Sequence, residues 1–182
     1  MAYQKNNNRN NPRMRPKSEF REKVLEVRRV TRVMAGGKRF SFRVTVVVGD
    51  LKGKVGVGIA KGLDVAAAVD KAKRQAQKAM ITIVLKDHRT VPYDVEAKYG
   101  AARVRIKPAR PDHGLIAGGS ARFVLEMAGV KDVSAKILGR TSNKLSNAMA
   151  TMAALSNFKK KGTPAVIEVK PEVKSENTNP HE

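Results

Sequence analysis

Three glycines in a seven-residue window, Gly56, Gly58 and Gly62, lead into an alanine-rich run in the segment KVGVGIAKGLDVAAAV. A glycine-rich turn opening a helix can present backbone N–H groups to a phosphate, so a nucleotide loop is the first chemistry to test. A Walker-type loop needs Gly-Lys followed by Ser or Thr at the helix start, whereas here Lys61 is followed by Gly62 and Leu63. A dinucleotide fingerprint needs its glycines in the turn between strand and helix. Gly56 and Gly58 instead alternate with Val55, Val57 and Ile59, as inside a strand. No nucleotide site is expected here.

Other reactive constellations are equally thin. His88, His113 and His181 are scattered, and no second ligand stands at helical or turn spacing from any of them, so neither a metal site nor a catalytic dyad is indicated. Glu96, Asp112 and Glu126 show no pairing along the chain. Cysteine is absent, which excludes a disulfide framework and thiolate metal ligands. The expectation is a protein that is not an enzyme and has no cofactor.

The cations are more informative. Thirty-seven Lys and Arg face sixteen Asp and Glu among 182 residues, a formal charge of +21. A polyanionic partner explains why a chain would keep such self-repulsion, and nucleic acid is the leading candidate. Aromatic residues make up only 4% and Trp is absent, so base stacking has little material and phosphate contact is favoured. The candidate contacts are Arg28, Arg29 and Arg32; the turn Gly36-Gly37-Lys38-Arg39; Lys54 and Lys61; Lys71, Arg74 and Lys78; and Arg103, Arg105 and Lys107. Lys71, Arg74 and Lys78 recur at three- and four-residue spacing and share a helix face; the chain's overall charge favours phosphate contact there over an ordinary solvated face. Gly56 and Gly58 join the candidates: on a bare strand face they would let an RNA backbone or a neighbouring chain come close, the other use of such glycines being local twist or a bulge.

The elements that must position these residues can be read from periodicity. Residues 1–19 form a basic, Asn-rich segment expected to be a disordered arm. Residues 20–82 read strand, strand, strand, helix. Phe20 to Met34 is rich in Val. Phe40, Phe42, Val44, Val46 and Val48 alternate with Arg39, Ser41, Arg43 and Thr45, the mark of a half-buried strand. Asp64 is a suitable N-cap for a helix over residues 65–80. Val55, Val57 and Ile59 are expected to face that helix. Residues 83–158 carry strands expected at 81–85 (crossing the boundary), 91–97, 102–108 and 133–138, and helices opening at Gly118-Gly119-Ser120 and near Asn143. Residues 159–182 read as a second disordered segment. No apolar run reaches the length of a membrane span and no secretory signal opens the chain, so a cytoplasmic protein is expected.

The ordered motifs VRRV, AGGKRFSF, VVVGDLKGKVGVGIAKG, GAARVRIKPA, GLIAGG and RFVLEMAGVKDV together resemble the bacterial small-ribosomal-subunit protein five family over about Phe20 to Leu155. The resemblance implies an α+β chain: an N-terminal double-stranded-RNA-binding-like domain (β-β-β-α), then a C-terminal α/β domain with a left-handed βαβ crossover. It implies a ribosome-bound structural protein that contacts small-subunit ribosomal RNA, supports assembly and decoding fidelity, and lies near the messenger RNA channel. Small-subunit proteins four and eight would be neighbours, with protein three nearby. The tip from Ala35 to Arg39 corresponds to the family's RNA-contacting loop, near the spectinomycin pocket. The 111–119 loop, with Asp112, His113, Gly114, Gly118 and Gly119, corresponds to the face toward protein four. The chain departs from the family pattern at Ala35 (usually Lys), Ala66 (often Pro), Asp112 (usually Gly) and Asn143-Lys144 (usually Asn-Pro). A free-standing regulatory protein that binds double-stranded RNA is the other reading the first unit allows.

Overall fold

The computed structural model describes residues 19–158, so the 1–19 arm, apart from Glu19, and the 159–182 tail lie outside the described residues. The chain is α+β and builds two sheets. The first is antiparallel, in the order β1 (Arg21–Met34), β2 (Gly37–Gly49), β3 (Lys54–Gly62), β4 (Ile81–Thr82), with helix α1 (Val65–Lys78) between β3 and β4. The second has the order β5-β6-β8-β7, from β5 (Val95–Tyr99), β6 (Ala102–Pro108), β7 (Leu115–Ile116) and β8 (Val133–Ile137). β7 and β8 are parallel and joined through α2 (Gly119–Ala128). α3 (Lys144–Ser156) packs on β5 and β6.

Local chemistry accounts for the helix ends. The Asp64 carboxylate accepts the Ala66 N–H at 3.2 Å and starts α1; the family's proline at position 66 would lack that donor. Asn143 caps α3 by accepting from Leu145 N–H at 3.1 Å. Gly129 closes α2 in the left-handed region (φ +81°), with Val130 N–H returning to Leu125 O at 3.1 Å, the usual glycine-terminated helix end. Ser120 is not the cap of α2: the N-cap is Gly118, which has no side chain to offer.

From Val44 inward the first sheet is buried on both faces, which the alternation of β2 alone did not indicate. Val44, Val46 and Val48 pack with Ala60 beneath Ala68, Ala72 and Ala76 of α1. Val47, Val55 and Val57 point the other way, into a cluster with Leu25 of β1, Val104 and Ile106 of β6, Val124 and Leu125 of α2, and Leu155 of α3. A bulge between Val24 and Glu26 inserts Leu25 into that second cluster. The layers therefore run α1, first sheet, α2 with α3, second sheet.

The β2–β3 turn and the end of α2 meet at backbone distance. Leu51 N–H donates to Met127 O at 3.2 Å and Gly53 N–H to Ala128 O at 3.0 Å. A Cβ on Gly49 would overlap the Met127 carbonyl, and one on Gly129 the Leu51 carbonyl.

The chain after α1 differs from expectation at its thin strands. The 81–85 strand is reduced to Ile81–Thr82 and pairs with β3 in the first sheet instead of opening the second unit, and the 91–97 strand begins only at Val95. Pro92 cannot donate to a ladder, and Val91 is fully buried in the shared core. β7, two residues long, was not expected.

Candidate nucleic-acid interface

Strands β1 and β2 outrun β3. β3 pairs with β2 only as far as Phe42↔Gly62, whereas β1 and β2 continue to Met34↔Gly37. The outer part is a two-stranded ribbon, and its two faces differ in chemistry. On the side away from α1, Arg28, Arg43 and Lys61 lie in one row across β1, β2 and β3, and Arg32 lies opposite Arg39. Like charges placed directly opposite each other destabilise a sheet, so this row adds nothing to the stability of the fold. One acid moderates it: Glu26 pairs with Arg28 at 2.9 Å.

The tip is a tight turn through Ala35 and Gly36. Gly36 has φ +85° and Gly37 φ +136°, with nothing within 4 Å of a would-be Cβ at either. Backbone conformation, not crowding, requires glycine here. Lys38 and Arg39 are exposed beside it but lie on opposite faces, since Lys38 is opposite Val33. Arg29 is also on the α1 side, with its guanidinium 3.8 Å from the Phe40 ring centroid. The structure thus divides the expected hairpin cations. Arg43, which the alternation had already put on the Arg39 side, belongs with them.

On α1, Lys71, Arg74 and Lys78 are exposed on the helix surface turned away from the sheet. Their neighbour Lys73 is held by Glu22 at 2.8 Å. Lys54 stands at the far end of β3 from the ribbon, opposite Thr82 of β4, and is not part of the arginine rows. Arg103, Arg105 and Lys107 line the exposed face of β6 as expected, but each has an acid beside it. Arg103 lies 3.4 Å from Glu96, Arg105 makes a two-toothed bond to Asp94, and Lys107 lies 3.9 Å from Asp94. The Arg105 guanidinium holds the Asp94 carboxyl below its usual value, and Asp94 raises that of Arg105. This face is partly neutralised within the chain.

Gly56 and Gly58 are not contacts for RNA. Both are buried. A Cβ on Gly56 would overlap the Ala76 carbonyl, and one on Gly58 the Ala72 carbonyl and the Ala76 amide. The expected facing is reversed: the glycine face lies under α1, and Val55 and Val57 face the other half of the chain. Glycine on the strand and alanine on the helix let two backbones touch.

The residues expected at a protein interface bracket β7. Asp112 adopts φ +66°, a left-handed conformation that Asp tolerates better than most residues, which explains how it replaces the family's glycine. Its carboxylate accepts from Arg89 at 2.8 Å, and Arg89 also donates to Asp132 at 2.9 Å. Asp132, 3% exposed at its side chain, accepts the Gly114 N–H at 3.1 Å. The Gly114 amide, followed by Arg89, keeps the Asp132 carboxyl below its ordinary value. His113 N–H returns to Arg110 O at 3.2 Å, closing the loop. Gly118 and Gly119 open α2 at the other end of β7, beside Ile116, which is exposed. Neither Arg89 nor Asp132 was marked by spacing, because their partners are 18 to 43 residues away. Among the described residues no group of His, Cys, Asp or Glu could hold a metal ion, and no helix is long and apolar enough to cross a membrane.

Comparison with known proteins agrees with this geometry. Residues 20–84 match the family model described as ribosomal protein S5, N-terminal domain, and residues 97–165 match that of its C-terminal domain. Similar proteins include a small ribosomal subunit protein uS5c of Spinacia oleracea, 50% identical over 77% of this chain. The chain spans only 45% of that protein's length. Another uS5c, of Emiliania huxleyi, is 46% identical over 78% of this chain and 88% of its own length. A small ribosomal subunit protein uS5 of Thermosynechococcus vestitus is 46% identical over 82% and 86%. With both family models matched in order, and with a strand-strand-strand-helix unit followed by a second sheet carrying helices, the chain belongs to the ribosomal protein S5 family, whose members are structural proteins and not enzymes.

Proposed function

We propose that this chain is a structural constituent of the small ribosomal subunit, binding ribosomal RNA chiefly through the ribbon face that carries Arg28, Arg32, Arg39, Arg43 and Lys61. The observation that carries the reading is the facing of like charges, Arg28↔Arg43↔Lys61 and Arg32↔Arg39, across adjacent strands. Such rows are relieved when phosphates lie on them. Lys38 at the tip and Lys71, Arg74 and Lys78 on α1 extend the contact. The first sheet shares its core with the second half, which favours a fixed two-part body over a detachable RNA-binding module. On this reading the protein is ribosome-bound in the cytoplasm. It supports assembly and decoding fidelity near the messenger channel, with the 111–119 loop toward small-subunit protein four and proteins eight and three as neighbours.

The test is reconstitution of small subunits with the triple variant Arg32→Ala, Arg39→Ala, Arg43→Ala, reading incorporation and misreading of a reporter. Poor incorporation by a folded variant is expected. Normal incorporation would remove the ribbon from the contact. Tight binding to any RNA duplex, with no preference for small subunits, would favour a free-standing regulator instead.

A further inference from the structure

The other face of the ribbon has no assigned role. Directly paired residues share a face, so Val27, Arg29, Thr31 and Val33 of β1 lie on the α1 side with Lys38, Phe40 and Phe42 of β2. Helix α1 covers this side only from Gly62 inward, where a Cβ would meet the Ala68 nitrogen and the Asp64 oxygen at 3.0 Å. Beyond that point the surface is open and sets exposed apolar side chains among Arg29, Thr31 and Lys38: Phe40 is 44% exposed and Val33 72%, and Leu63, which follows β3, is 86% exposed. Phe40 has no β3 residue beside it. The Arg29 guanidinium carbon sits over its ring, 3.8 Å from the centroid, and no acid pairs with Arg29 among the described residues. The ribbon residues on this face include no Asp or Glu, and Asp64 nearby directs its carboxylate to the Ala66 N–H.

We infer that this shelf is a stacking platform for an unpaired RNA base, with the Phe40 ring and the Arg29 guanidinium as its surface. The inference rests on the RNA reading of the opposite face and adds the kind of RNA to it. An A-form duplex hides its bases in a deep, narrow major groove, and proteins reach bases where they are splayed from loops, bulges and ends. A guanidinium stacked on a ring is a flat, cationic surface suited to a base. An apolar protein helix would need acids to answer Arg29 and Lys38 at its rim, and it is the competing occupant the test must exclude.

The experiment uses the full chain and a short single-stranded RNA carrying 2-aminopurine, whose fluorescence is quenched on stacking. Phe40→Ala should bind this RNA roughly 5- to 150-fold more weakly, the usual range for losing one base stack, with the quench abolished. Its salt dependence should keep the wild-type slope, since no phosphate contact is removed. Phe40→Leu, which retains bulk without the ring, should behave like Phe40→Ala and keep the wild-type melting temperature. Unchanged quench in both variants, or rescue by Leu, overturns the stacking inference. If Arg32→Ala with Arg39→Ala leaves affinity untouched, the RNA reading of the cationic face fails, separately from the shelf. If Phe40→Ala disturbs only association with small-subunit proteins in the absence of RNA, the shelf belongs to a protein and the inference is wrong.

Discussion

Gly58 of β3 lies directly beneath Ala72 of α1, with no room for one methyl group between them. A Cβ on Gly58 would overlap the Ala72 carbonyl oxygen and crowd the Ala76 amide. Both blocking atoms are helix backbone, which cannot swing aside as a side chain would. Gly58→Ala should therefore cost about 1–3 kcal/mol, as overpacking of a filled core does, and Gly58→Val more. Denaturant unfolding of the free protein measures this. Unchanged stability of Gly58→Val would show that α1 can lift off the sheet.

A second prediction separates charge from fold. Replacing Arg32 and Arg39 with Ala should lower the slope of log affinity against log salt by roughly 0.7–0.9 for each phosphate that is no longer neutralised. Stability should hold or rise slightly, because two facing cations are removed from the ribbon. Salt titration and thermal melting on the same samples check both halves. A loss of stability would mean that the arginines serve the sheet.

The paired cations of β6 should respond oppositely to removal of an acid. Asp94→Asn frees Arg105 and Lys107, so affinity for RNA should increase and its salt slope should steepen. If affinity is unchanged, this face lies away from RNA and Arg103, Arg105 and Lys107 drop out of the interface.

The Asp132 brace gives a pH prediction. Its carboxyl is held below the ordinary value of 3.8 by the Gly114 amide and Arg89. Its contribution is thus fully present above that ordinary value and is lost as pH falls through the lower folded one. The Gly114 amide shift in NMR should stay flat from neutral pH down to about the ordinary carboxylate range and move only below it. Arg89→Ala should raise the pH of that transition and speed Gly114 amide exchange, more than Asp112→Asn does, because Asp132 is the buried partner. Titration of Gly114 near neutral pH in the wild type would refute the brace.

Gly129 carries two demands at once, a left-handed φ of +81° and close passage of the Leu51 backbone. Gly129→Ala should destabilise both halves together in a single transition, since the β2–β3 turn is bonded to the end of α2. Two separated melting transitions would show that the halves fold independently.

The repeating patterns were legible without a structure, because they report local backbone geometry. Alternation in β2 and β6 marked strands, Asp64 marked the start of α1, and the paired glycines marked the ribbon tip. Charge excess and ordered motifs pointed to RNA and to the family. What the chain alone could not show was which surface each pattern meets. Period two tells that Val55 and Gly56 point in opposite directions, but not which direction holds the helix, and the bare glycine face was read as open when α1 fills it. Alternation also hid the burial of Thr45 and Val47, since a second layer supplied by α2 and α3 covers that face. Arg89 with Asp132, and Arg43 with Arg28 and Lys61, meet only when distant segments are brought together. Local sequence carries no record of such meetings, because packing between layers, and not backbone preference, decides them.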